Sequence, residues 1–110
     1  MSYISEVVVR FTDNATKVVK KFYELDKQIK EIIDDSDDNW SDFDHISCIY
    51  WNEIKWYEDT DEGVMAFMHM LDEIGEENYG MIRIGDDFDD VEYYGNTCDF
   101  QMYVNRSIEW

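Results

Sequence analysis

The amino-acid sequence predicts an α+β fold, in which two helices pack on one face of a mostly antiparallel sheet. Apolar and polar residues alternate near both ends of the chain, as they do in half-buried strands. Two internal segments instead repeat apolar residues every three or four positions, as amphipathic helices do. The expected order is β-α-β(β)-α-β-β-β, in a single acidic domain that spans residues 1–110.

The first third of the chain predicts a strand followed by a long helix. The strand runs from Tyr3 to Phe11, with Val7 and Val9 on its apolar face and Val8 on its polar face. Residues 12–14 offer helix-capping side chains. A helix is then expected over residues 15–33, because apolar residues recur in steps of four, three, four and three. The residues of this stripe are Val18, Phe22, Leu25, Ile29 and Ile32.

The rest of the chain alternates acidic segments with predicted strands and one helix. Residues 34–44 are expected to form an acidic loop, anchored on the domain by Trp40 and Phe43. Residues 47–57 have strong strand propensity and form either one long strand or a hairpin that turns at residues 52–53. The second helix follows and ends at Gly75. Three further strands are expected over residues 79–84, 91–94 and 100–108.

The net charge of −18, from 27 acidic and nine basic residues, is distributed unevenly. Residues 1–33 contain six basic and five acidic side chains, whereas residues 34–110 contain three basic and 22 acidic ones. A net charge of about 2–8 is enough to keep a small domain soluble. The excess therefore needs an explanation other than solubility.

Several classes of function have no signal in this sequence. No apolar run approaches the roughly 18 residues of a membrane span, and the N-terminus does not resemble a signal peptide, so we expect a cytoplasmic protein. The nucleophile elbow, the phosphate-binding loop, the dinucleotide-binding motif and the zinc-protease motif are all missing. The sequence therefore predicts a protein that is not an enzyme.

We also expect no metal ion or other cofactor. Asp35, Asp37 and Asn39 are spaced like the start of an EF-hand loop, but Trp40 replaces its glycine and Ile46 replaces its glutamate. The two histidines and two cysteines do not have the paired spacing of a zinc site.

The acidic clusters suggest a surface that imitates nucleic acid. Alternate residues of a strand lie about 6.6 Å apart on one face, so carboxylates can form rows that resemble backbone phosphates. Trp51 and Trp56 are expected to add packing contacts with the partner. The residues expected to bind the partner are Asp34, Asp35, Asp37, Asp38, Asp42, Asp44, Trp51, Trp56, Asp86, Asp87, Asp89, Asp90 and Glu92.

Residues 49–57 and 82–90 resemble segments of small phage proteins. In size, charge and lack of catalytic motifs, the chain also resembles phage-encoded DNA mimics, such as anti-CRISPR and anti-restriction proteins. That class shares neither a fold nor a motif, so the resemblance assigns no residue. It implies an inhibitor of host defence that blocks the cationic DNA- or RNA-binding surface of a CRISPR effector, a restriction enzyme or a nuclease.

Two alternatives stay open. The negative charge of the chain is equally consistent with an immunity protein or antitoxin that neutralises a cationic nuclease toxin. A Ca²⁺-binding module is the alternative from a different class. For the preferred function we expect no direct binding to nucleic acid or membrane, and a monomer or small homo-oligomer.

Overall fold

The computed structural model describes residues 4–42, 44–85, 90–105 and 107–110, and it confirms the α+β class. Its strands are β1 (Ile4–Phe11), β2 (Asp38–Ser41), β3 (Ile46–Lys55), β4 (Tyr79–Ile84), β5 (Val91–Gly95), β6 (Tyr103–Asn105) and β7 (Ser107–Glu109). Its helices are α1 (Asp13–Leu25), α2 (Lys27–Asp34) and α3 (Glu62–Ile74), and a short 3₁₀ turn (Glu76–Asn78) leads into β4. The first five strands form an antiparallel sheet in the order β2-β3-β1-β4-β5, and β6 pairs with β7.

The single helix expected over residues 15–33 is in fact two helices, which meet at Asp26. Asp26 has an extended backbone, and its carboxylate accepts hydrogen bonds from the backbone N–H groups of Gln28 (3.0 Å) and Ile29 (3.2 Å). This is the geometry of a helix N-cap, and it separates α2 from α1. As a result Leu25, expected in the core, is 86% exposed, and Val18 is exposed as well.

The larger core lies between the sheet and the three helices. Val7 and Val9 of β1 share this face with Ile49 and Trp51 of β3, because the register pairs Val7 with Trp51 and Val9 with Ile49. The helices contribute the other half of this core, with Val19, Ile29, Ile32, Ile33, Phe67, Met70 and Leu71. No helix of the described residues is long and apolar enough to cross a membrane.

A second, smaller core covers the opposite face of the sheet. Instead of the single strand expected over residues 100–108, β6 and β7 form a hairpin. Met102 and Ile108 pack there against Val8 and Ile82. Val8, expected on a polar face, is therefore fully buried. The sheet is therefore covered on both faces. The alternation of apolar and polar residues in β1 predicts only one buried face, so it does not reveal the second core.

The segment over residues 34–44, expected to be a loop, contributes the edge strand β2. All four residues of β2 are exposed, and the strand pairs with the first half of β3. The two alternatives for residues 47–57 are also resolved. β3 is one long strand, with a register irregularity opposite Ser5 and Val7 instead of a hairpin turn.

Candidate partner-binding surface

The acidic segment begins at the last residue of α2, where Asp34 is held by two neighbours. Its carboxylate accepts hydrogen bonds from the Tyr23 hydroxyl (2.6 Å) and from Lys30 Nζ (3.2 Å). The Tyr23 hydrogen bond, followed by the one from Lys30, lowers the pKa of Asp34 below its usual value. Asp34 therefore stays ionised and has a fixed position at the start of the segment.

Asp37 attaches the segment to the sheet. Its backbone N–H donates to the carbonyl of Tyr50 (2.9 Å), and its carboxylate accepts from the backbone N–H of Asn52 (2.6 Å). These two contacts set the register of β2, in which Asp38 lies opposite Tyr50. On either side of Asp37, the side chains of Asp35 and Asp38 are exposed to solvent.

The turn between β2 and β3 holds the last two aspartates of the segment. The backbone N–H of Asp42 donates to the carbonyl of His45 (2.8 Å) and closes this turn. The Asp44 carboxylate lies 3.1 Å from His45 Nδ1 and 3.9 Å from Lys17 Nζ. The contact with His45, and then the charge of Lys17, lower the pKa of Asp44.

We call the six residues Asp34, Asp35, Asp37, Asp38, Asp42 and Asp44 the acidic edge. These six carboxylates outnumber by four the ammonium groups that pair with them, which are those of Lys17 and Lys30. Both ion pairs are exposed, and such pairs contribute only about 0–1 kcal/mol. The cations of a binding partner could therefore replace these lysines at little cost.

Three aromatic rings lie beside the acidic edge. The centroids of the Trp40 and Trp110 rings lie 4.7 Å apart, with the rings in an edge-on arrangement. Trp110 also stacks on Tyr50, with 5.4 Å between the ring centroids. Trp40 is 45% exposed and Trp110 is 39% exposed. Trp40 thus contacts the domain as expected but also remains open to solvent. Trp110 was not among the residues expected at this surface, because no local sequence pattern links it to β2.

Trp51 and Trp56, which were expected to pack against a partner, lie in the core instead. They are 1% and 6% exposed, and both rings pack against Phe67. Trp51 Nε1 also donates a hydrogen bond to the carbonyl of Ile32 (2.9 Å). The expectation was wrong because it assumed that one face of this segment is open, whereas both faces of β3 are covered.

Asp90 and Glu92, expected at the binding surface, enclose the buried side chain of Arg83. Its guanidinium donates to Asp90 Oδ1 (2.5 Å), to Glu92 Oε1 (2.6 Å) and to Ser5 Oγ (2.9 Å). Burial alone would lower the pKa of Arg83, but the hydrogen bonds to both carboxylates raise it. These two acids therefore compensate an internal charge.

Arg83 is the one basic residue between Lys55 and Arg106, and that isolation was an overlooked sequence signal for an internal pair. The other acids expected in this cluster, Asp86, Asp87 and Asp89, lie outside the described residues.

The polar network continues from Glu92 to the loop before α3. The Tyr94 hydroxyl lies 2.6 Å from Glu92 Oε2 and 3.0 Å from Glu58 Oε2. Burial and these two carboxylates raise the pKa of Tyr94, so its hydroxyl keeps its proton and donates it to one of them. The network fastens β5 to the loop between β3 and α3.

The described residues bring no three His, Cys, Asp or Glu side chains into an arrangement that could hold a metal ion. In the segment that resembles the start of an EF-hand, the Asp37 carboxylate instead binds the backbone of β3.

No family model, curated protein or solved structure matches this chain. The acidic edge and the adjoining rings of Trp40, Tyr50 and Trp110 are the part of that surface with the most distinctive chemistry.

Proposed function

We propose that this chain is a non-catalytic, phage-type inhibitor of a bacterial defence system that acts in the host cytoplasm. It binds as a nucleic-acid mimic to the cationic DNA- or RNA-binding surface of a CRISPR effector, a restriction enzyme or a nuclease. The observation that carries the proposal is the acidic edge, an excess of exposed carboxylates on and around an exposed edge strand.

The carboxylates and the aromatic rings of this surface contribute to binding in different ways. Clustered carboxylates attract a cationic partner over long range and raise the rate of association, most strongly at low salt. The exposed rings of Trp40 and Trp110 offer short-range contacts, because arginine and lysine side chains bind well to tryptophan faces. Together they give both steering and a packed centre to the interface.

The acidic edge is a better candidate for this role than the carboxylates around Arg83. Asp90 and Glu92 already bind a buried cation, and a partner that displaced them would leave Arg83 unpaired. Removing one partner from a buried charge costs several kcal/mol, about 3–5 in measured cases. The exposed pairs of the acidic edge carry no such cost.

The first test is capture of partners on the immobilised protein from a bacterial lysate at about 150 mM salt, with and without excess duplex DNA. We expect a nucleic-acid-binding protein that is retained without DNA and released by it. The purified partner should then lose binding to its own DNA or RNA when this protein is added. A retained partner that DNA does not displace would contradict mimicry, and a captured nuclease toxin would favour an immunity protein.

The second test locates the binding surface with two variants of equal charge. Asp35→Asn/Asp38→Asn removes two charges from the acidic edge, whereas Glu76→Gln/Glu77→Gln removes two exposed charges after α3. The first variant should weaken binding about tenfold, which corresponds to about 1.4 kcal/mol. The second variant should bind like the unmodified protein. Equal losses would show that net charge, and not the acidic edge, governs binding.

A further inference from the structure

The backbone of β2 forms one outer edge of the five-stranded sheet. The inner edge of β2 pairs with β3, and β2 stands first in the strand order. Within the described part of the chain, no strand pairs with its outer edge, and all four of its residues are exposed. The outward N–H and C=O groups of such an edge strand are open to pairing with another extended chain.

The two faces of β2 differ in chemistry. Because alternate residues of a strand share a face, Asp38 and Trp40 lie on one side and Asn39 and Ser41 on the other. On the second side, the Ser41 hydroxyl already donates a hydrogen bond to Asn39 Oδ1 (2.8 Å). The first side instead offers an exposed carboxylate beside a half-exposed indole ring.

The charge around β2 selects the kind of strand that can pair with it. Residues 34–44 contain six aspartates and no basic residue. Among the described residues, no lysine or arginine forms an ion pair with Asp38. A second copy of β2 would bring like charges together, which opposes pairing. A strand that carries lysine or arginine is instead attracted, so this edge is complementary to a basic segment.

The other edge strand, β5, lacks this combination. The Glu92 carboxylate accepts hydrogen bonds from Arg83 and Tyr94. Asp90, which immediately precedes β5, also accepts from Arg83. The carboxylates on and beside β5 therefore already have a buried cation to bind, whereas that of Asp38 faces solvent.

We propose that β2 accepts an extended, basic segment of the partner as a sixth strand of the sheet. This inference rests on the proposed function and deepens it, because it specifies which part of the partner's cationic surface binds the acidic edge. An added strand lies about 4.8 Å from β2, and side chains directly opposite each other have Cβ atoms about 4.5–5.5 Å apart. Alternate arginine side chains of that strand therefore reach both the Asp38 carboxylate and the Trp40 ring.

Backbone pairing and side-chain contacts contribute differently to this complex. Hydrogen bonds along the strand edge supply affinity without regard to sequence, and the alternating side chains supply specificity. Arginine and lysine side chains also bind the phosphates of nucleic acid. A segment that lies on β2 with its cations bound to carboxylates is therefore withheld from DNA or RNA.

A short peptide of alternating arginine and threonine is the probe for strand addition. Fluorescence anisotropy of the labelled peptide at about 150 mM salt measures its binding to the full chain. Methylating consecutive backbone nitrogens in the middle of the peptide keeps its charge but removes its hydrogen-bond donors on both edges. We expect this methylated peptide to bind at least about tenfold more weakly. Equal affinities, or no binding of the unmodified peptide, would overturn the proposal.

Hydrogen exchange followed by NMR locates the added strand. In the complex with the unmodified peptide, backbone amides of β2 should exchange at least about tenfold more slowly than in the free protein. Asp38→Asn should weaken peptide binding about fivefold, and Asp35→Asn, an equal loss of charge outside the strand, by less than about twofold. Binding that leaves exchange in β2 unchanged would overturn strand addition. A captured partner that DNA releases would still support the proposed function in that case, so the two proposals fail separately.

Discussion

The structure makes a sharp distinction between two tryptophans that the sequence does not separate. Trp51 is 1% exposed, packs against Trp56 and Phe67, and donates a hydrogen bond to a backbone carbonyl. Trp40 is 45% exposed and has one close ring contact. The same substitution, tryptophan to alanine, should therefore have very different effects at the two positions.

The expected losses of stability follow from these contacts. Truncating a buried tryptophan to alanine costs about 3–5 kcal/mol through lost burial and the cavity that remains. Trp51→Ala also leaves the Ile32 carbonyl without its donor, which adds about 1–3 kcal/mol. Trp40→Ala loses mainly its contact with Trp110, an aromatic pair that contributes about 0.5–1.5 kcal/mol.

Urea denaturation followed by circular dichroism measures both losses. Small domains have a total stability of about 5–15 kcal/mol, so Trp51→Ala should be close to unfolded in buffer. Trp51→Phe keeps a ring in the core and provides a milder variant whose transition can be measured. If Trp51→Ala and Trp40→Ala had equal midpoints, or if Trp51→Ala cost less than about 2 kcal/mol, the burial of Trp51 described above would be wrong.

Three further predictions concern single positions. Cys98 is exposed, whereas burial raises the pKa of Cys48 to about 12, so a thiol reagent at mildly alkaline pH should modify one cysteine before denaturation and two after it. Burial likewise raises the pKa of Tyr50 from 10.0 to about 12. The folded state then holds a proton that the unfolded state has lost, so stability should fall between these pH values, and Tyr50→Phe should make urea midpoints fall less steeply. Gly95 has a φ of 70°, and a Cβ there would lie 2.3 Å from a backbone carbonyl, so Gly95→Ala should lower the free energy of unfolding by at least about 2–3 kcal/mol. Gly63→Ala, in the first turn of α3, is its control and should be nearly neutral.

The sequence predicted the class of fold and most elements because local periodicity is strong in this chain. It failed at Asp26 because the apolar repeat continues past this residue, whereas the side chain of Asp26 is a good N-cap, and the two signals oppose each other. The steps of four and three through Leu25 fit a continuous helix equally well. A side-chain hydrogen bond to the next turn decided the outcome in favour of two helices.

The candidate surface was only partly predictable, for a different reason. The six aspartates of the acidic edge were visible as a local cluster, and the structure leaves all six exposed. The rings beside them come together from β2, β3 and the last residue, which no short window of sequence can relate. Trp51 and Trp56 were misjudged because their burial depends on α3, which follows them in the chain.

The central position of β1 has a consequence for how the chain folds during synthesis. Its partners in the sheet are β3 and β4, so β1 cannot complete its pairing until residue 84 has been synthesised. Its second face is covered later still, by residues near 102 and 108. Contacts between residues so distant in sequence slow folding, because long loops must close first. The apolar stretch from Val7 to Val9 can therefore pair with β3 first, but its other edge and its second face stay uncovered until β4 and the later residues have been synthesised, and we expect chaperones to protect it in that interval.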